Sequence, residues 1–475
     1  MASLQTLALV AIAIISTYLL YLRFTTGSST LPLPPGPKPL PILGNIADFP
    51  PAGVPEFEHW FKHKDIYGGI SSVTVMGMTL VIIHDKKMAH DLLEQHASKT
   101  SGRPKMVMAN KLCGYESIVL CQDYNQTFKR CRKLLHRELG TKVSAAQFLD
   151  IQEREVKRQL VRALDKPDRW LDHFKTTAGA TVLKMAYGYT VEPHKPDFLV
   201  TLIDKMMNEF SLAASPMSWA LIQQCKSETR TDGEQLGRDD SEAIAWTAAS
   251  LYGAAADTTV ITLTIFTLAM LQNPEVQQHA QAEIDRVIGD RLPTFEDRDN
   301  LPYIAALVKE SLRWWPISPM GFPHTVTEAF EYHGYHIPKD AMLLPAVKWF
   351  LHDPSVYADP DKFDPARFLS PRNEPDPVDT FGYGRRICPG RFFADQSLFL
   401  NIVNSLACFN IRPSADSPVD VKPKPGILSY PTAFDFKIEV RSEKHRDLIL
   451  AAGKEVPFEP SDAGHLESVD NFEAK

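Results

Sequence analysis

The chain has 475 residues, 44% hydrophobic and 23% charged, a balance that excludes wholesale disorder and collagen-like repeats. A net charge of −7 without any basic block argues against a nucleic-acid partner. Six cysteines with no C-x-x-C pair exclude zinc ribbons, thioredoxin-type motifs and a disulfide scaffold, and fit a reducing compartment.

The first element is an uncharged apolar run from Leu4 to Leu22. At 1.5 Å per residue a helix of this length spans about 28 Å, close to the hydrocarbon thickness of a bilayer. No Lys or Arg precedes it, whereas Arg23 and Lys38 follow, a bias that predicts a cytoplasmic C-terminal domain. A cleaved signal peptide is the competing reading, but it would call for a positive n-region and a shorter apolar core. Pro34, Pro35, Pro37, Pro39 and Pro41 then fix φ and remove donors, predicting a stiff extended hinge. The expected layout is an anchor over 1–23, a Pro-rich hinge over 24–45, one large domain over 46–441 and a polar tail over 442–475 with a loose end.

Residues 70–84 alternate as a hairpin with Gly77 near its turn. From about 86 to 290 the apolar periodicity is helical, including a helix from about Ser241 to Leu271. Asn273-Pro274-Glu275 reads as the cap, first position and first turn of another helix, which Gly289 closes. A helix over 301–315 ends before Pro316, short strands follow near 325–345, and 350–390 is irregular. A helix over about 391–407 completes a mainly α chain with a minor β subdomain.

The strongest chemical signal is Phe381-Gly382-Tyr383-Gly384-Arg385-Arg386-Ile387-Cys388-Pro389-Gly390. Its glycines allow tight turns and close approach of a flat ligand. Cys388 lies just before a helix, and the dipole with Arg385 and Arg386 favours its thiolate, a form suited to binding iron. A buried structural thiol is the alternative for any single free cysteine.

This decamer resembles the ligand loop of the cytochromes P-450, F-x-x-G-x-R-x-C-x-G, at Phe381, Gly384, Arg386, Cys388 and Gly390. Three further places match in the expected order, and the anchor and hinge are similar to those of microsomal, fungal-type members. The resemblance implies the cytochrome P-450 fold, haem b with Cys388 as its axial ligand, and a monooxygenase of secondary metabolism. Glu310-x-x-Arg313 shares one helix face and resembles the family's E-x-x-R pair, which is joined by a later arginine, here Arg367. These three are assigned to folding. Gly253 to Thr259 is similar to the family's proton-delivery segment, which makes Asp257 and Thr258 the candidate catalytic pair, because activating O2 requires positioned proton donors. One departure is Ala255, where the family has glycine. Arg132 matches the arginine of W-x-x-x-R, which binds a haem propionate. Phe128 replaces its tryptophan and cannot donate a hydrogen bond. By the same resemblance His324 and Arg386 are further propionate partners, while Lys129, Arg130, Lys133 and Arg137 form a basic face toward a redox partner.

No phosphate-cradling glycine motif is present, so electrons must come from another protein. The family implies the NADPH–cytochrome P-450 reductase, with cytochrome b5 as a second donor. It also implies O2, a lipophilic small-molecule substrate and the endoplasmic reticulum membrane lipid. Candidate pocket walls are Met106–Leu120, Ile317–Phe322 and Ile427–Phe434. Arg132 and Asp257 are 125 residues apart, several tens fewer than the family spacing, with the shortening between about 219 and 235. That interval carries the roof of the family's substrate pocket. Two alternative functions therefore stay open: a haem-binding but catalytically impaired short form, and a haem-thiolate isomerase or dehydratase.

Overall fold

Met76 and Gly77 both have positive φ, 49° and 84°, and they turn the chain between β1 (Ile70–Val75) and β2 (Met78–Ile83). The computed structural model describes residues 31–214, 240–414 and 420–465 apart from 42 and 52, together with 12, 13, 16 and 17. The Leu4–Leu22 anchor and the 219–235 interval thus lie almost wholly outside the described residues.

The described helices of twelve or more residues, in chain order, are α1 (Glu56–Tyr67), α2 (Gln126–Leu139), α3 (Leu149–Asp165), α4 (Trp170–Tyr187), α5 (Phe198–Ala213), α6 (Asp240–Gln272), α7 (Pro274–Val287), α8 (Pro302–Trp314), α9 (Arg391–Cys408) and α10 (Glu443–Glu455). Strands β3 (His324–Thr325), β4 (Phe330–Tyr332), β5 (Tyr335–Ile337) and β6 (Met342–Pro345) lie between α8 and α9, with β7 (Phe409–Pro413) and β8 (Phe436–Val440) after α9. The largest sheet has the order β1-β2-β6-β3. β2 and β6 are parallel with Leu80 opposite Met342, and β3 is antiparallel to β6 with His324 opposite Leu343. Register alone therefore fixes where His324 stands.

Two apolar cores divide the molecule. Trp170, Phe174, Phe266, Leu398 and Phe399 fill the helical one. Ile82, Ile83, Val326, Leu343 and Leu344 fill the one beside the sheet. Trp246–Gln272 is apolar and long enough to cross a membrane, the one such helix among the described residues. It is largely buried inside the protein, so its hydrophobicity on every side is that of a core helix rather than a membrane span.

Two details differ from expectation. Asn273 does cap α7, but its amide donates backward to the Ala269 carbonyl at 2.9 Å instead of bonding the new helix. The tail contains the helix α10, docked on α3, with Ile449 and Ala452 as its buried residues. With so narrow a buried stripe, the segment reads as polar in sequence.

Candidate active site

The Cys388 amide donates to the Phe381 carbonyl at 2.8 Å, closing the ligand loop on itself. Gly384 has φ 51°, and a Cβ there would stand 2.3 Å from the Leu93 carbonyl oxygen, so the loop can sit this low only with glycine. A Cβ on Gly390 would meet nothing within 4 Å, which leaves open space beside the half-buried Cys388. Burial pushes the Cys388 thiol upward, against the Gly390 amide and the charges of Arg132 and Arg391. The expected contribution of Arg385 and Arg386 to the thiolate is corrected by this geometry. Arg385 is exposed over the Tyr124 ring, and Arg386 turns away to the Ser101 and Gln122 carbonyls, each at 2.9 Å.

Arg386 instead belongs to a cluster of buried cations. Its guanidinium lies 3.8 Å from the centre of the Phe128 ring, so Phe128 supports an arginine where the family's tryptophan would donate a hydrogen bond. Arg132 donates to the Ile387 carbonyl at 2.8 Å. Arg103, which sequence reasoning missed, donates to the carbonyls of Leu120, Phe322 and Pro323. None of the Arg103, Arg132 and Arg386 guanidinium groups makes an ion pair with a carboxylate among the described residues, although Asp123 accepts from the Arg103 amide at 3.3 Å, and Arg386 Nη1 has no hydrogen-bond partner there. Burial pushes Arg386 down to about 8 and Arg103 to about 10, with each disfavoured by another guanidinium nearby. His324 is buried beside them and gives its Nδ1 to the Thr100 carbonyl at 2.9 Å. Burial and both arginines push it down to about 3, so it is neutral at pH 7. Arginine keeps its charge in proteins, so this cluster carries an excess of positive charge that the nearby Asp123 offsets only in part. Nothing in the sequence separates Arg103 from any other arginine, because the carbonyls it binds come from as far as 220 positions away.

The opposite wall is α6. Ala254 is exposed and Ala255 and Thr258 are half-buried, although the helix runs through the core. Ala254 and Thr258 therefore border open space, whereas Gly253 faces the Met206 and Met207 side chains of α5 and Ala256 lies in the core. Thr258 Oγ1 donates to the Ala254 carbonyl at 2.7 Å. Asp257 is buried, is raised by that burial to about 6, and accepts a hydrogen bond from the Tyr430 hydroxyl. Tyr430 lies in the expected wall Ile427–Phe434, but nothing in the sequence marked its bond to Asp257.

Two of the expected pocket walls meet. A small, partly open cavity is lined by Pro319, Met320 and Gly321 from one stretch, by Ile427 and Ser429 from another, and by Glu56 and Phe57 of α1. The Met106–Leu120 stretch takes no part in this cavity. Its Tyr115 ring packs edge-on against Phe210 of α5, and its Val119 amide donates to Ser250 of α6.

The expected buried network is in place. Arg313 bonds both Glu310 oxygens at 2.7 and 2.9 Å, and Arg367 Nε reaches Glu310 Oε1 at 3.1 Å, with all three side chains wholly buried. Glu374 adds a further anion, 2.7 Å from Arg367.

An open thiol-bearing loop, a small-residue wall and an excess of buried positive charge fit haem b. The ring is flat and apolar, and its two propionates would balance the excess positive charge. The family model described as "Cytochrome P450" matches residues 34–212 and 195–438. "Cytochrome P450 monooxygenase CLM2" of Gibberella zeae is 43% identical over 522 residues, covering 97% of this chain and 98% of that protein. "Multifunctional cytochrome P450 monooxygenase af510" of Aspergillus fumigatus is 40% identical, covering 98% of each chain. "O-methylsterigmatocystin oxidoreductase" of Aspergillus flavus is 35% identical, covering 91% and 92%. The first alignment has 522 positions against the chain's 475 residues, so at least 522 − 475 = 47 positions have no residue here. The chain belongs to the cytochrome P450 family, as a haem-b monooxygenase whose iron is bound by a cysteine thiolate.

Proposed function

We propose that Cys388 is the axial ligand and that the protein inserts one oxygen atom from O2 into a lipophilic secondary metabolite. The observation that carries this reading is the opening in α6 at Ala254 and Thr258, beside the buried Asp257, in a helix where Ala254 is the one exposed residue between Trp246 and Leu271. Haem, when bound, supplies the reducible iron at which O2 is activated. Arg103, Arg132, Arg386 and His324 bind and orient the propionates, and a carboxylate beside His324 would favour its protonated form. Phe128 stacks beneath Arg386, and the Phe381 carbonyl and Gly390 shape the loop. Thr258 and Asp257 hold the protons that O2 activation consumes. Their presence favours monooxygenation over isomerase or dehydratase chemistry, which consumes none.

The exposed Lys129, Arg130, Lys133 and Arg137 lie on α2, opposite its buried Phe128, Cys131 and Leu135. They form the docking face for an acidic electron donor, the NADPH reductase, with cytochrome b5 as a second donor. The Leu4–Leu22 segment anchors the chain in the endoplasmic reticulum membrane with its catalytic domain in the cytoplasm, where lipophilic substrates partition. A second reading, an impaired short form, is supported by the aligned positions that have no residue here. The test is a substrate-library screen of membranes co-expressing this chain and a reductase under 18O-labelled O2. A product carrying one labelled atom is expected. Conversion without label would replace monooxygenation by isomerisation or dehydration, and no turnover on any compound would favour the impaired form.

A further inference from the structure

The turn Lys424–Pro431 is bonded on three sides. Trp315 Nε1 donates to the Ser429 carbonyl and hydroxyl at 3.0 and 2.9 Å, the Ser429 amide donates to the Ile317 carbonyl at 2.7 Å, and Ser318 Oγ donates to the Ile427 carbonyl at 3.2 Å. On a second side the Ile427 and Leu428 amides donate to the carbonyl and hydroxyl oxygens of Ser211 in α5. On the third side the half-buried Tyr430 gives its hydroxyl to Asp257 Oδ2 of α6, from 173 residues away. Ile427 and Ser429 of this turn also line the cavity described above.

We propose that Tyr430 is the positioning residue for the Asp257 carboxyl, tying the proton donor of α6 to the firmly bonded Lys424–Pro431 turn. The proposal rests on Asp257 serving proton delivery. A hydroxyl aimed at one carboxylate oxygen fixes the rotamer of the carboxyl and stabilises its ionised form. The other charged groups facing Asp257 are Asp204 of α5 and Lys175 of α4, which are paired with each other at 3.1 Å and act on it in opposite directions. Tyr430 is thus the one direct hydrogen-bond partner of Asp257 among the described residues.

The test compares wild type, Tyr430→Phe and Tyr430→His in the full-length holoprotein, after the ferrous carbon monoxide spectrum has shown that each variant holds haem. Infrared difference titration, with Asp257→Asn assigning the band, reads the carboxyl directly. Tyr430→Phe should move the Asp257 midpoint upward by about one pH unit, a roughly tenfold change in proton affinity. The pH profile of NADPH-to-product coupling should move upward with it, and Tyr430→His, which restores a donor, should reverse both. An unchanged Asp257 midpoint in Tyr430→Phe overturns the proposal. If the midpoint moves but Asp257→Asn couples NADPH to product as well as wild type, the fault lies in the role given to Asp257, and Tyr430 positions a carboxyl that delivers no proton.

Discussion

A thiol that burial pushes upward becomes a thiolate only when a cation is worth more than its desolvation. Arg132 and Arg391 act against the burial of Cys388 without reversing its direction, and an iron bound there, as proposed, would supply the further positive charge. Cys388→Ser should accordingly abolish the long-wavelength Soret band of the reduced carbon monoxide complex, and a retained band would mean another ligand. Asp257 carries the same sign of problem. Its folded carboxyl titrates at about 6 against an ordinary 3.8, so the folded state binds the proton more tightly than the unfolded chain. The stability this group gives is fully present below about pH 4 and is lost as the pH rises through 6. At pH 8 the ionised group burdens the fold, by at most about 3 kcal/mol. Asp257→Asn removes the charge and keeps an acceptor for Tyr430. Its melting temperature should exceed that of wild type at pH 8, with the gap closing by pH 5. A constant difference across that range would assign the change to packing.

At the scale of elements, α8 and the segment after it depend on charges that no solvent reaches. Glu310 accepts from Arg313, from Arg367 and from the Asp364 amide, so removing it leaves two buried guanidinium groups facing each other. Glu310→Ala should cost about 3–5 kcal/mol. Thermal melting should fall by many degrees and haem-loaded protein should be largely lost from expression. A variant that melts near wild type would mean that backbone carbonyls such as those of Leu351 and Lys362 are enough to hold Arg313. Much of this scale was legible in sequence. The β1–β2 hairpin announced itself by alternation and a turn glycine, α7 by proline at the first position, α8 by its stop before Pro316, and Glu310 and Arg313 by a spacing that shares a face. What stayed hidden was long-range or sparsely patterned. Arg103 and Tyr430 act through partners 220 and 173 positions away, and α10 buries too narrow a stripe to show a helical period.

Across the whole molecule, the proposed ligand loop, the α8 network and the β-sheet are complete, whereas the interval before α6 is short. The family model meets this chain in two stretches that overlap at residues 195–212, just before the interval, and three relatives align over 522, 529 and 519 positions against 475 residues here. Cys388, Glu310, Arg313, Arg367 and Arg386 all follow the interval, so the residues proposed to hold haem are not among those missing. The substrate side is affected instead, since α5 ends at Ala213 close to the turn that carries Tyr430, and its Ser211 bonds that turn. A pocket that excludes water strengthens apolar contacts and protects the reacting centre, so several tens fewer roofing residues should leave it more open. The protein should therefore incorporate haem normally, give weak substrate-induced spectral shifts, and release much of its reducing power as peroxide. Inserting the corresponding segment of a full-length relative after Trp219 should tighten substrate binding and raise the fraction of NADPH recovered as product. Equal affinity and equal coupling in the two proteins would mean that the residues already flanking the interval close the pocket, and that the short form is a complete enzyme.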